Sequence, residues 1–377
     1  MPQIVPWPLE PGDGSPASVE ACRQALVRGE LAVLPTEAGY VAAASGLHPE
    51  AVARLAGWRA GDHAPLPAVA VRGPADARDW VPDLGPLGRR LAQRCWPGPV
   101  VLVFAQGVQA GVATRLPDGV VRTVGPGWEM GLTAPDHPAV RELLVHLSVP
   151  LVLGELTDPA GAPALTAEAA GTIVGDGVAV VLDGGTAQLG RPATVVEVRG
   201  EQWAVRREGA VPAADLARLA AKLVLFVCTG NTCRSPLAEA LCKKLLADRL
   251  GCAAEELPGR GYVVMSAGLA AVRGEPAATE AVAVAGELGA DLSGHASRPA
   301  TPDLLAQADV IVGMTAGHLH TLAGFTGPGG GSDRVVRLLC GESDLPDPIG
   351  GDRTVYQACA GTIWQHMQGL VAELLEK

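Results

Sequence analysis

Two hydrophobic periodicities alternate along the chain. Short apolar runs bounded by turn residues predict strands at 30–35, 100–104, 223–227, 262–265, 308–314 and 334–339. Apolar positions three and four apart predict helices at 18–28, 237–250, 279–288 and 353–376. Residues 1–16, rich in Pro and Gly, read as an irregular arm. Val120-Val121-Arg122, Asp158-Pro159-Ala160-Gly161 and Asp183-Gly184-Gly185 read as turn chemistry between strands. Residues 213–221 form a short helical connector without Gly/Ser content, so domains 1–212 and 222–377 are expected to touch, with limited freedom. Strands alternating with helices call for an α/β fold. The C-terminal domain is expected to be a doubly wound, four-stranded parallel sheet that binds ligands at its strand carboxyl ends.

Length and composition agree with two domains. The 377 residues are 48% apolar, 18% charged and only 3% aromatic, which is globular. The 48 glycines and 31 prolines follow no short period and indicate turns. A net charge of −11 argues against sequence-blind nucleic-acid binding over the whole surface, though a local basic cleft stays open. Eight cysteines without framework spacing suggest a reducing compartment. No apolar run has the length of a membrane span, and Met1-Pro-Gln-Ile-Val-Pro-Trp-Pro does not read as a signal peptide. A cytoplasmic protein without a membrane partner is expected.

The most informative stretch is Leu223-Val-Leu-Phe-Val-Cys228-Thr-Gly-Asn-Thr-Cys233-Arg234-Ser235-Pro236. A buried strand runs into a loop, and Ser235-Pro236 opens a helix. A strand-to-helix loop aims backbone N–H groups and the positive helix end at one spot, which suits a phosphate-sized anion. Arg234 adds a planar fork for two phosphate oxygens. The same field favours the thiolate of Cys228, a nucleophile able to form a phosphocysteine. Gly230 and Asn231 tolerate left-handed backbone. Ser235 either hydrogen-bonds the thiolate or is an ordinary helix-start cap. Breaking a phosphorus–oxygen or phosphorus–nitrogen bond also needs a proton for the leaving group. From the residues alone Asp344, Asp347 and Asp352 are equal candidates on the loop after the fourth strand. His295 reads as a structural hydrogen-bonding residue. His318 and His320 complete no metal site and read as a solvated helix end. Gly327-Pro-Gly-Gly-Gly-Ser332 reads as a flexible insertion and not a phosphate loop.

On these residues the stretch from about 222 to 377 resembles the low-molecular-weight protein tyrosine phosphatase family. Val-Cys-Thr-Gly-Asn-Thr-Cys-Arg-Ser-Pro, Ser266-Ala267-Gly268 and Asp347-Pro348-Ile349-Gly350-Gly351 carry the resemblance, which is strongest to its bacterial protein arginine phosphatases. It implies Cys228 as nucleophile, Arg234 as phosphate holder, Asp347 as acid and Ser235 as support for the thiolate. Thr229, Gly230, Asn231, Thr232 and Cys233 then complete a substrate-binding loop that needs no cofactor. Tyrosine-specific members usually carry a larger aliphatic residue where this chain has Thr232. The implied partner is a phosphorylated protein, with phosphoarginine preferred over phosphotyrosine.

Residues 14–212 resemble the YrdC-like family, a twisted α/β fold that includes threonylcarbamoyl-adenylate synthases. Its motifs are eroded here. Pro35-Thr36-Glu37-Ala38-Gly39-Tyr40 stands for Pro-Thr-Asp-Thr-x-Tyr, and Gly57-Trp58-Arg59 lacks the family's lysine. Leu156-Thr157-Asp158 and Ala193-Thr194-Val195 each lack a serine. Thr36, Arg59, Arg122 and Arg207 persist as a candidate cleft set. Losing a lysine and two hydroxyls weakens a triphosphate site. The expectation is a domain reduced to ligand binding or scaffolding. The alternative is a bifunctional protein whose N-terminal domain still uses ATP, with a nucleotide or tRNA link.

Overall fold

In the computed structural model, which describes residues 2–7, 16–58, 65–325 and 335–376, the chain forms two compact units, Met1–Leu219 and Ala220–Lys377. Arg59 and the Gly327–Ser332 segment lie outside the described residues.

The first unit is built on one mixed sheet of ten strands. In chain order these are β1 (Gln3–Pro6), β2 (Ala32–Pro35), β3 (Tyr40–Ser45), β4 (Ala68–Ala70), β5 (Val100–Phe104), β6 (Met130–Thr133), β7 (Leu151–Glu155), β8 (Val180–Asp183), β9 (Thr194–Arg199) and β10 (Gln202–Arg207). Their spatial order is β1-β8-β2-β3-β7-β4-β6-β5-β9-β10. Part of the expected N-terminal arm is therefore a strand, with Gln3 to Pro6 paired in parallel with Val180 to Asp183. Its prolines hid it, but an edge strand tolerates Pro because one side of its backbone needs no partner. Val120-Val121-Arg122 also differs from expectation, lying inside the helix Asp118–Val124.

The second unit has four parallel strands, β11 (Lys222–Cys228), β12 (Tyr262–Gly268), β13 (Val310–Gly313) and β14 (Val335–Leu338), in the order β12-β11-β13-β14. Both faces are covered. Val224, Phe226 and Cys228 belong to a core shared with the helices Arg234–Leu250, Thr279–Glu287 and Arg353–Leu375. Leu223, Leu225 and Val227 belong to the opposite core, with Leu305 and Leu322 from the helices Pro302–Gln307 and Ala316–Phe325. A strand buried on both faces needs apolar residues throughout, which is why β11 reads as a continuous run. Burial of Phe226 alone contributes about 1.5–3 kcal/mol. The chain leaves β11 for β12 on one side and returns to β13 on the other. The carboxyl end of β11 is thus the switch point where doubly wound sheets bind ligands.

Candidate active site

At that switch point the strand stops at Cys228 and the helix Arg234–Leu250 begins, so the intervening loop is short and tightly held. Cys228 is 3% exposed, and its sulfur sits among loop donors and acceptors. It accepts the backbone N–H of Asn231 (3.2 Å) and lies 2.9 Å from the Ser235 hydroxyl. The Ser235 hydroxyl also donates to the Ala267 carbonyl (3.3 Å), which ties the surroundings of the sulfur to β12.

Asn231 makes this geometry possible. Its φ of 57° is left-handed, a conformation Asn tolerates because its side chain can bond locally. That side chain is fully buried and fully used: Nδ2 donates to Ser235 Oγ (3.0 Å) and Ser266 Oγ (2.8 Å), and Oδ1 accepts the Arg298 N–H (2.9 Å). The Asn231 carbonyl lies 2.8 Å from His295 Nε2. Asn231 and His295 therefore shape the loop. Ser266 passes the network on to Glu239, its hydroxyl donating to Oε2 (2.6 Å). Gly268 is required by contact: a Cβ there would sit 2.6 Å from the Thr229 carbonyl oxygen and 2.9 Å from the Asn231 nitrogen. Gly230, in contrast, does not adopt positive φ.

Arg234 is almost completely enclosed, with its side chain 6% exposed. One guanidinium nitrogen donates to the Leu345 carbonyl (3.2 Å) and another pairs with the Asp347 carboxylate. Loop 344–352 is thereby tied to the start of the helix Arg234–Leu250. The three aspartates that were equal in the sequence separate here. Asp344 accepts the Ala316 N–H (2.7 Å) at the start of the helix Ala316–Phe325, and Asp352 caps Arg353–Leu375 through the amides of Thr354 and Val355. Only Asp347 reaches the site.

The remaining loop residues divide. Thr229 is exposed and Gly230 and Thr232 are half-buried at the surface of the loop. Cys233 is buried, its sulfur facing the Tyr356 hydroxyl at 3.2 Å, so its side chain supports the loop from behind. His318 departs from its reading as a solvated helix end. It is buried, with Nε2 3.0 Å from the Thr229 hydroxyl, and Nδ1 has no hydrogen-bond partner among the described residues. Burial, reinforced by the Arg234 charge, depresses its proton affinity. His320 is exposed.

Of the N-terminal cleft set, Arg59 lies outside the described residues, and the structure does not bring Thr36, Arg122 and Arg207 together. A cleft open to solvent is lined by Thr36, Glu37, Tyr40, Thr133, Glu155 and Thr157 among apolar neighbours. Arg122 is exposed on its helix and does not line the cleft. Arg207 pairs with Glu155, so its charge is already matched by a carboxylate. Sequence reading missed Glu37 and Glu155, because the significance of each depends on partners far along the chain.

With this geometry in hand, comparisons with known proteins match both halves. The model of the low molecular weight phosphotyrosine protein phosphatase family covers residues 223–377, and one described as telomere recombination, of the Sua5/YciO/YrdC type, covers 24–209. A protein-arginine-phosphatase of Bacillus subtilis is 33% identical over 155 residues, which is 40% of this chain and 95% of that protein. A low molecular weight protein-tyrosine-phosphatase of Streptomyces coelicolor is 33% identical over 165 residues, 41% of this chain and 94% of that protein. Etp, a low molecular weight protein-tyrosine-phosphatase of Escherichia coli, is 28% identical over 148 residues, covering 39% and 91%.

Proposed function

Because the chain belongs, through residues 223–377, to the low molecular weight phosphotyrosine protein phosphatase family, we propose that it dephosphorylates proteins, phosphoarginine in preference to phosphotyrosine, through a phosphocysteine on Cys228. The carrying observation is the pair of linked contacts, Asn231 and Ser235 on the Cys228 sulfur and Arg234 on Asp347.

In this reading an incoming phosphate takes the Arg234 fork away from Asp347. The freed carboxyl, beside a dianion, takes up a proton. The Cys228 thiolate attacks phosphorus and the phosphorus–nitrogen bond breaks. Its electron pair stays on nitrogen, which receives the Asp347 proton. Water then attacks the phosphocysteine and gives a proton to Asp347. The sulfur–phosphorus bond breaks, sulfur recovers its pair, and the Ser235 hydroxyl and Asn231 N–H stabilise the thiolate as orthophosphate leaves.

Two features support arginine over tyrosine. Thr232 offers a hydroxyl at the loop surface, suited to a polar guanidinium. Residues 228–235 and 344–352 contain no aromatic side chain against which a phenyl ring would stack. The Bacillus subtilis relative bears the same specificity in its name. The test is turnover of phosphoarginine and phosphotyrosine peptides by the full chain. Preference for phosphotyrosine removes the arginine assignment, and no turnover of either removes the phosphatase reading.

For the N-terminal unit the reading is ligand binding or scaffolding, with ATP use reduced or lost. The mutual pairing of Arg207 and Glu155, and Arg122 away from the cleft, support this. Pyrophosphate release dependent on ATP, threonine and bicarbonate together would restore the synthase reading and the tRNA link.

A further inference from the structure

We propose that the cleft of the N-terminal unit binds the guanidinium group of a peptide-borne arginine, with Glu37 as its counter-ion. The inference is independent of the chemistry at Cys228. The cleft is open to solvent, and Pro65, Pro99, Pro135, Pro163 and Pro192 give it largely apolar walls around a few polar groups, the make-up of a small-ligand site.

Most polar groups in its lining are already engaged. The Thr36 hydroxyl donates to the Gly39 carbonyl (2.5 Å) and accepts from the amides of Ala38 and Gly39. The Thr133 hydroxyl donates to the Val100 carbonyl (3.3 Å), and the Tyr40 hydroxyl to that of Gly185 (2.6 Å). Glu155 is held by Arg207. Glu37 is different. Its carboxylate accepts only backbone N–H groups, that of Asp136 on Oε2 (2.9 Å) and its own, and no ion pair reaches it among the described residues. Burial raises its proton affinity above the ordinary carboxylate range. A carboxylate in such surroundings is stabilised by an arriving cation.

The walls select among cations. A guanidinium is planar, weakly hydrated and able to bond a carboxylate through two N–H groups, so it enters apolar surroundings more readily than an ammonium. The described lining has no Lys, Arg or His to meet an α-carboxylate, which favours arginine within a peptide over the free amino acid. Among the described residues, the same lack of cations, with Glu37 in the lining, disfavours a triphosphate.

The experiment is calorimetric titration of the full chain with N-acetyl-arginine amide, N-acetyl-lysine amide and ATP. Orthophosphate is present throughout to fill the Cys228 loop. The proposal expects saturable binding of the arginine amide, weakened about tenfold or more in Glu37→Gln, the worth of one charge-assisted contact. Gln keeps an acceptor for the Asp136 N–H, and an unchanged melting temperature verifies its fold. Absence of saturable arginine binding, binding unaffected by Glu37→Gln, or displacement of the arginine amide by ATP would each overturn the proposal. Equal affinity for the lysine amide would overturn the guanidinium assignment.

Discussion

Replacing Asp347 with asparagine should change two measurements in opposite directions. The Arg234 side chain is 6% exposed and Asp347 40% exposed, so the pair is intermediate between a surface and a buried ion pair. Exposed pairs contribute up to about 1 kcal/mol, because solvent screens them. If substrate phosphate must displace Asp347 from Arg234, that contribution opposes phosphate binding. Its removal then tightens orthophosphate binding about fivefold, the equivalent of about 1 kcal/mol. The chemical step behaves otherwise. Without a proton donor the leaving nitrogen departs about 10²–10⁴-fold more slowly. Rapid-quench measurement of phosphocysteine formation reads the second effect, and calorimetric titration with orthophosphate the first. Asp344→Asn and Asp352→Asn serve as controls. Both residues cap helices, so their loss should lower the unfolding free energy by about 1 kcal/mol with little effect on the chemical step. The reasoning fails if Asp347→Asn slows phosphocysteine formation less than tenfold while a control slows it more. It fails equally if orthophosphate binds the variant more weakly, since Asp347 would then be preorganising Arg234 and not competing for it.

Cys228→Ser should lose all turnover in a steady-state assay yet retain orthophosphate or vanadate binding, because Arg234 and the Asn231 N–H are untouched. Thr232→Ile should lower phosphoarginine turnover strongly and preserve or raise phosphotyrosine turnover; equal losses on both would make Thr232 a loop-shaping residue. The depressed proton affinity of His318 means that the fold favours the neutral ring. Its stabilisation is complete above the ordinary imidazole value of about 6.5 and disappears as pH falls through the lower folded-state value. Urea midpoints should therefore drop between pH 7 and 5, less steeply in His318→Gln; parallel slopes would remove His318 from the account. The full chain should not form threonylcarbamoyl-adenylate at a useful rate, since Gly57, Leu156 and Ala193 replace polar groups, and robust bicarbonate-dependent product would refute this.

Legibility in the sequence followed the distance between the groups that must meet. The candidate loop after β11 was readable because Cys228, Asn231, Arg234 and Ser235 lie within eight consecutive positions, and their joint geometry follows from one strand-to-helix turn. The parallel sheet was readable because strands buried on both faces leave continuous apolar runs. Short elements escaped: β1 has four residues beside prolines, and the helix Pro302–Gln307 has six, too few for a period to emerge. The order of the ten N-terminal strands also escaped, because pairing partners are set by long-range packing and not by local periodicity.

Charge was the least legible property, since it depends on what sits opposite. Arg207 reads as a cleft cation until its partner Glu155, 52 positions away, is seen to claim it. His318 reads as a surface histidine until Thr229, 89 positions earlier, is found against its ring. Gly268 shows the converse. It is visible in the sequence as the end of Ser-Ala-Gly, yet its necessity comes from β12 running alongside β11, which brings the Thr229 carbonyl and Asn231 amide to where a Cβ would stand. A glycine kept by such contact cannot be replaced without moving the loop that holds Cys228. The loop after β11 is thus specified as much by the neighbouring strand as by its own residues.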